Sequence, residues 1–215
     1  MDCFASLAMT TLLLDNADEI ARRLALLGEP RMAALEPVRA PLIGQGKRVP
    51  NFDPLDGGAD ARLLLLLETP GPHRRMGGEV RFVSQDNPTP TGANLRRFLS
   101  QAGVGRRDLL IWNIVPWVVH DPGANNRAVR RAEIAEGLTR LPPLLARLPH
   151  LRAAVLAGKP ASAAAPVFAA ERPDVAVLAM PHPSPVICCT DPAIPARIVE
   201  VLAKAAALLS RDEQG

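Results

Sequence analysis

A chain of 215 residues, 48% of them hydrophobic, is long enough to bury a full core as one domain. Its three cysteines, Cys3 and the adjacent Cys188 and Cys189, exclude a disulfide framework and any C-x-x-C site for zinc or an iron-sulfur cluster. No apolar run approaches the ~20 residues that span a bilayer. Leu12–Leu14 stand between Asp2 and the acidic Asp15, Asp18 and Glu19, unlike a secretory signal. A cytoplasmic protein with reduced thiols and no membrane association is expected. The formal net charge of +3 suits one basic face without demanding it.

In chain order, Asn16 to Leu27 reads as an amphipathic helix with Ile20, Leu24 and Leu27 on one face and Gly28 as its stop. A short helix is expected over 31–38, and an ordered loop rich in Gly, Pro and Asp over 44–61. Leu63 to Leu67 is a continuous apolar run, the pattern of a strand buried on both faces. A helix follows over 93–102, with Leu95, Phe98 and Leu99 inward, then a second strand over 109–115. Helical leucines over 133–148 break at Pro142-Pro143. A third strand (153–156) closes at Gly158, a helix covers 160–170, a fourth strand covers 175–178 and a last helix 194–209. Four alternations of strand and helix predict an α/β domain, three layers α/β/α, around a four-stranded, mainly parallel sheet. Residues 1–215 form that single domain, with 1–45 as a helical extension packed on it.

Ligands of such folds sit at the carboxyl ends of the strands. Three of those ends carry motifs: Leu67-Glu68-Thr69-Pro70-Gly71-Pro72, Ile111-Trp112-Asn113-Ile114-Val115-Pro116 and Pro181-His182-Pro183-Ser184-Pro185. In this order they resemble the uracil-DNA glycosylase superfamily, over roughly residues 60 to 205. The first looks like the G-E-A-P-G motif of the thermostable branch, with Leu67 for the first Gly and Thr69 for Ala. The second is similar to the strand ending in a base-contacting Asn. The H-P-S-P core of the third matches the second signature of the best-known branch. The thermostable branch's iron-sulfur cysteines have no counterpart. The chain has no tyrosine, so the residue that screens out thymine in the best-known branch is missing too. Met76, Gly77 or Gly78 is a candidate for that task.

The resemblance implies a monofunctional glycosylase acting on uracil-containing DNA in base excision repair, a monomer with no metal or organic cofactor. Cleaving the glycosidic bond builds positive charge on the sugar and negative charge on the departing base. Either Glu68 or Asp86, with neighbouring Asn87, is the carboxylate that steadies the cation and orients water. Phe82, followed by Val83, resembles the ring that stacks on the flipped base. Thr69, Pro70, Gly71 and Asn87 complete the substrate contacts. Asn113 has both the donor and the acceptor that suit uracil O4 and N3–H, and His182 as a neutral imidazole donates to O2. Ser184, Pro185 and Val186 form a rigid DNA-contacting loop, with Val186 and Ile187 placed to fill the gap left by the base. Lys159 and the stretch of Asn125, Asn126, Arg127, Arg130 and Arg131 are the phosphate-contact candidates. The alternative is a DNA-damage-binding module of the same fold that has lost its chemistry.

Overall fold

The computed structural model describes residues 13–71, 81–121, 124 and 127–210; Pro72, Met76, Gly77, Gly78, Asn125 and Asn126 lie outside the described residues. The strands in chain order are β1 (Asn51–Phe52), β2 (Leu63–Leu67), β3 (Phe82–Val83), β4 (Leu109–Asn113), β5 (Ala153–Ala157) and β6 (Ala176–Met180). Among them run the helices α1 (Ala17–Ala25), α2 (Pro30–Ala33), α3 (Glu36–Gly44), α4 (Pro90–Gln101), α5 (Arg131–Leu138) and α6 (Leu141–Leu145). The series ends with α7 (Gly158–Ser162), α8 (Ala165–Glu171), α9 (Pro185–Cys188) and α10 (Ala193–Ser210).

The central sheet has the order β4-β2-β5-β6 and is parallel throughout. Every residue of β2, β4 and β5 is buried, which is why these strands read as unbroken apolar runs. Edge strand β6 differs: Val177 and Ala179 are exposed while Met180 is buried. From β2 the chain crosses α4 to β4 on one side, then returns past β2 to lay β5 on the other. The strand order therefore reverses at β2, the place where open α/β sheets leave a crevice. Helices flank the sheet: α10 packs on α4 and on β2, β5 and β6. Leu141, Leu144 and Leu145 of α6 and Phe168 of α8 join the strands in one core.

Several boundaries differ from the sequence reading. The helix expected from Ala93 begins at Pro90, because the Thr89 hydroxyl caps it by accepting the Gly92 N–H at 3.1 Å and a proline at the first helical position needs no partner for its missing N–H. The second strand ends at Asn113; Ile114 and Val115 are still tied to the Leu67 and Glu68 carbonyls. The segment 31–38 divides into α2 and α3, the latter continuing past Pro41 to Gly44. The helix over 160–170 is interrupted between Ser162 and Ala165. Within the expected loop, β1 pairs in parallel with β3 as a separate two-strand ladder, and Phe52 stacks on Trp112 of β4 with centroids 3.8 Å apart. Two-residue strands are too short for periodicity to find.

Candidate active site

The carboxyl ends of β2, β4 and β6, the segment after β3 and the first two turns of α4 enclose a cavity of about 740 Å³. Thr69, Pro70, Gly71, Phe82, Asn87, Asn113, His182 and Ser184 all line it. Thr69, Asn113 and His182 meet because each closes or soon follows a strand of the central parallel sheet, while Phe82 and Asn87 come from β3 of the small ladder and the segment after it.

Asn113 is 2% exposed and its Nδ2 has no hydrogen-bond partner. A buried amide donor without a partner costs on the order of 1–3 kcal/mol, so Asn113 presents this donor to an acceptor from outside the protein. Asn87 is complementary. Its Nδ2 donates to the Phe82 carbonyl at 3.0 Å, which fixes the orientation of the amide, and its buried Oδ1 has no partner. The wall therefore offers one unanswered donor and one unanswered acceptor.

His182 accepts a hydrogen bond at Nδ1 from the Ser184 backbone N–H, 3.2 Å away. The ring proton is thereby placed on Nε2. Burial pushes the imidazole down to about 4 from its usual 6.5, so the ring is neutral near pH 7 and retains one N–H to donate. Behind it, Gly158 adopts a φ of +84°, and a Cβ there would come within 3.2 Å of the His182 Cβ; glycine serves both the backbone conformation and the close approach. From the other side, Asn94 of α4 donates to the Pro183 carbonyl at 2.9 Å. The loop carrying His182 thus lies against Gly158 at the start of α7 and is tied to α4 through Asn94.

Glu68 stands half-buried at the end of β2, where its carbonyl accepts from the Val115 N–H at 3.0 Å. It is not among the residues that line the cavity. Asp86, the other carboxylate candidate, is withdrawn from the cavity wall. It is 4% exposed, and its Oδ2 accepts from Arg23 at 2.8 Å and from Arg106 at 2.7 Å. A carboxylate held between two guanidiniums is committed to charge balance in the protein interior. Neither phosphate-contact candidate reaches the cavity. Lys159 is exposed in the first turn of α7. Arg127 makes a two-pronged ion pair with Glu133, at 2.5 and 2.9 Å. That hydrogen bond is the main reason the Glu133 carboxyl falls to about 2. Pro185 opens α9, which turns Val186 outward at 77% exposure, with Ile187 beside it at 36%.

Sequence reasoning missed Ser84, Thr91 and Arg96, which also line the cavity. Arg96, midway along α4, donates to the Gln85 carbonyl at 2.6 Å and places a cation on the cavity wall. The signal was present in Thr89-Pro90, a cap followed by a first-turn proline, which would have put the first turns of α4 beside the strand ends. Among the described residues, no three His, Cys, Asp or Glu side chains are grouped to hold a metal ion.

A parallel sheet with a cavity at its reversal point, walled by a buried Asn and a neutral His from two strand ends, is an arrangement able to hold a small ring with polar edges. Compared with known families, the chain matches the uracil DNA glycosylase superfamily over residues 54–206, and it belongs to that superfamily. Membership carries a DNA glycosylase-like hydrolase activity in base excision from DNA. A search of curated proteins found no match. No helix among the described residues is long and apolar enough to cross a membrane.

Proposed function

We propose that the protein is a monofunctional glycosylase that hydrolyses the N-glycosidic bond of uracil in DNA. The observation that carries this reading is the buried Asn113 amide without a partner, in one cavity with a neutral His182 whose Nε2 bears the proton. A flipped uracil presents a carbonyl to Asn113 and a neighbouring ring N–H to an acceptor. Stacking on Phe82 requires its ring, which has no exposed surface in the free protein, to be uncovered as the base enters. As the bond to the sugar breaks, charge gathers on O2, where the His182 N–H stabilises it without a prior proton transfer. Water then adds its hydroxyl to C1′ of the sugar, its remaining proton is released, and the base leaves and is protonated. Glu68 is assigned to orient that water and steady the sugar cation. Ser184, Pro185 and Val186 meet the DNA, and Lys159 and Arg127 provide peripheral contacts to the backbone. The protein works as a monomer.

A second reading is favoured by one observation: no Asp or Glu is among the residues lining the cavity. In that reading the pocket binds damaged DNA without cleaving it. The test uses labelled oligonucleotides carrying uracil, hypoxanthine, xanthine or thymine, single-stranded and duplex, with alkali to break abasic sites. Strand breakage at uracil alone, lost on the order of 100-fold in Asn113→Ala and in Glu68→Gln with DNA binding retained, is the expected result. Breakage at a purine base keeps the hydrolysis but overturns uracil as the substrate. No breakage on any base establishes the binding module.

A further inference from the structure

Residues 13–53 precede the stretch matched by the family, yet they reach the cavity. Leu13 is one of its lining residues. The Leu14 N–H donates to the Asp86 carbonyl at 3.1 Å, and Leu14 and Ile20 pack with Phe82 in a small cluster of their own. The candidate stacking ring is therefore backed by the N-terminal segment. Below that cluster lies Arg23 of α1, with no exposed surface. Its guanidinium donates to Glu19 at 2.6 Å, Asp53 at 2.5 Å and Asp86 at 2.8 Å, with Ser84 Oγ at 3.4 Å. Ser84 in turn donates to Asp53 and accepts the Asp86 N–H at 2.9 Å. Arg106, which precedes β4, closes the cluster against Asp53, Asp56 and Asp86.

We infer that Arg23 is a positioning residue, and that through its buried ion pairs the N-terminal segment holds the Phe82–Asn87 wall of the active site in place. The inference rests on the glycosylase reading of that site. Phe82, Ser84 and Asn87 line the cavity on either side of Asp86, so Asp86 is the anchor of the wall and Arg23 is what the anchor holds. The α4 side is equally close: a Cβ on Gly92 would lie 2.3 Å from the Asn87 carbonyl, so the wall packs against the helix backbone where only glycine leaves room. Without Arg23, Asp53 and Asp86 converge on Arg106 alone. Two carboxylates drawn to one partly exposed guanidinium repel each other, and the Phe82–Asn87 segment that carries Asp86 is the part free to move.

The experiment compares Arg23→Gln, Arg23→Lys and Arg172→Gln in the full chain. Arg172, at the turn between α8 and β6, pairs with Asp174 and donates to the Leu148 and Leu151 carbonyls away from the cavity; its variant controls for lost stability alone. Arg23→Gln is expected to lower kcat/KM on a uracil oligonucleotide on the order of 10- to 100-fold, with both KM raised and kcat lowered. It should also speed hydrogen exchange at amides 82–89 while β2 and β5 keep their protection. Arg23→Lys keeps the charge but not the fork and should fall between. Arg172→Gln should leave the kinetic constants unchanged. Wild-type kinetics and exchange in a folded Arg23→Gln protein overturn the inference. If Arg23→Gln fails to fold, Arg23→Lys decides: wild-type kinetics and exchange in it overturn the inference. If the wild type cleaves no base, the glycosylase reading fails, and exchange at 82–89 still decides the positioning role.

Discussion

In the proposed reaction His182 and Asn113 meet the base as donors, and the protein sets each of them by a different means. Asn113 is made receptive by leaving its Nδ2 without an internal partner, whereas His182 is made neutral by burial and given its tautomer by the Ser184 N–H. The pH behaviour follows from the second. Because the folded His182 titrates at about 4 in place of 6.5, the rate of base release should show no step near pH 6.5 and should fall only as pH drops towards 4. Stability moves in the same window. Between those two values the unfolded chain takes up the proton first, so stability present above pH 6.5 is lost as pH falls through the folded value. A rate profile together with urea midpoints of wild type and His182→Gln checks both; a rate inflection at 6.5 in the wild type refutes the assignment. At this scale, the residues that directly follow strand ends were legible in the sequence, since a strand end fixes where the next side chain stands. Asp86 was not. Its partner Arg23 lies 63 positions away, and no local pattern announces so distant an ion pair.

Two short elements at the cavity have separate tasks. The first turns of α4 form a wall, with the Thr89 cap and Gly92 against the Asn87 carbonyl. In contrast, α9 is a single turn that holds Val186 and Ile187 out from the H-P-S-P loop. If the proposed function holds, this exposed apolar pair beside the cavity fills the gap in a duplex once a base has left the stack. Single strands have no such gap. Val186→Gly should therefore lower kcat/KM on duplex uracil DNA by roughly tenfold while changing the single-stranded rate little. Equal losses on both substrates, measured side by side, would refute the wedge. The sequence placed α9's residues in the right loop through the prolines. It did not reveal that α4 begins at the cavity, because polar residues and a glycine at 91–94 hide the apolar period that starts only at Leu95.

Across the whole molecule, the buried charge cluster links the N-terminal helix to the domain proper. Asp56 is fully enclosed, and burial first, then the neighbouring Asp53 charge, pushes its carboxyl well above the usual range. Around it, Arg22, Arg23 and Arg106 face Glu19, Asp53 and Asp86. A raised folded value means that the native state holds the proton longer than the unfolded chain. Stability from this group is full below the ordinary carboxylate value and declines as pH rises towards the folded one, at about 1.4 kcal/mol per pH unit. Asp56→Asn should remove that decline, seen as a flatter dependence of the urea midpoint on pH than in the wild type; parallel curves for the two proteins would refute it. By itself the amino-acid sequence determined the α/β class, three fully buried strands and the superfamily's motifs, because uninterrupted apolar runs and residues at strand ends are local patterns. Only the tertiary structure showed that Asp86 is held between two guanidiniums and that a residue before the family domain lines the cavity. Both depend on charges and side chains brought together from distant parts of the chain, and burial sets their states only once the core has closed around them.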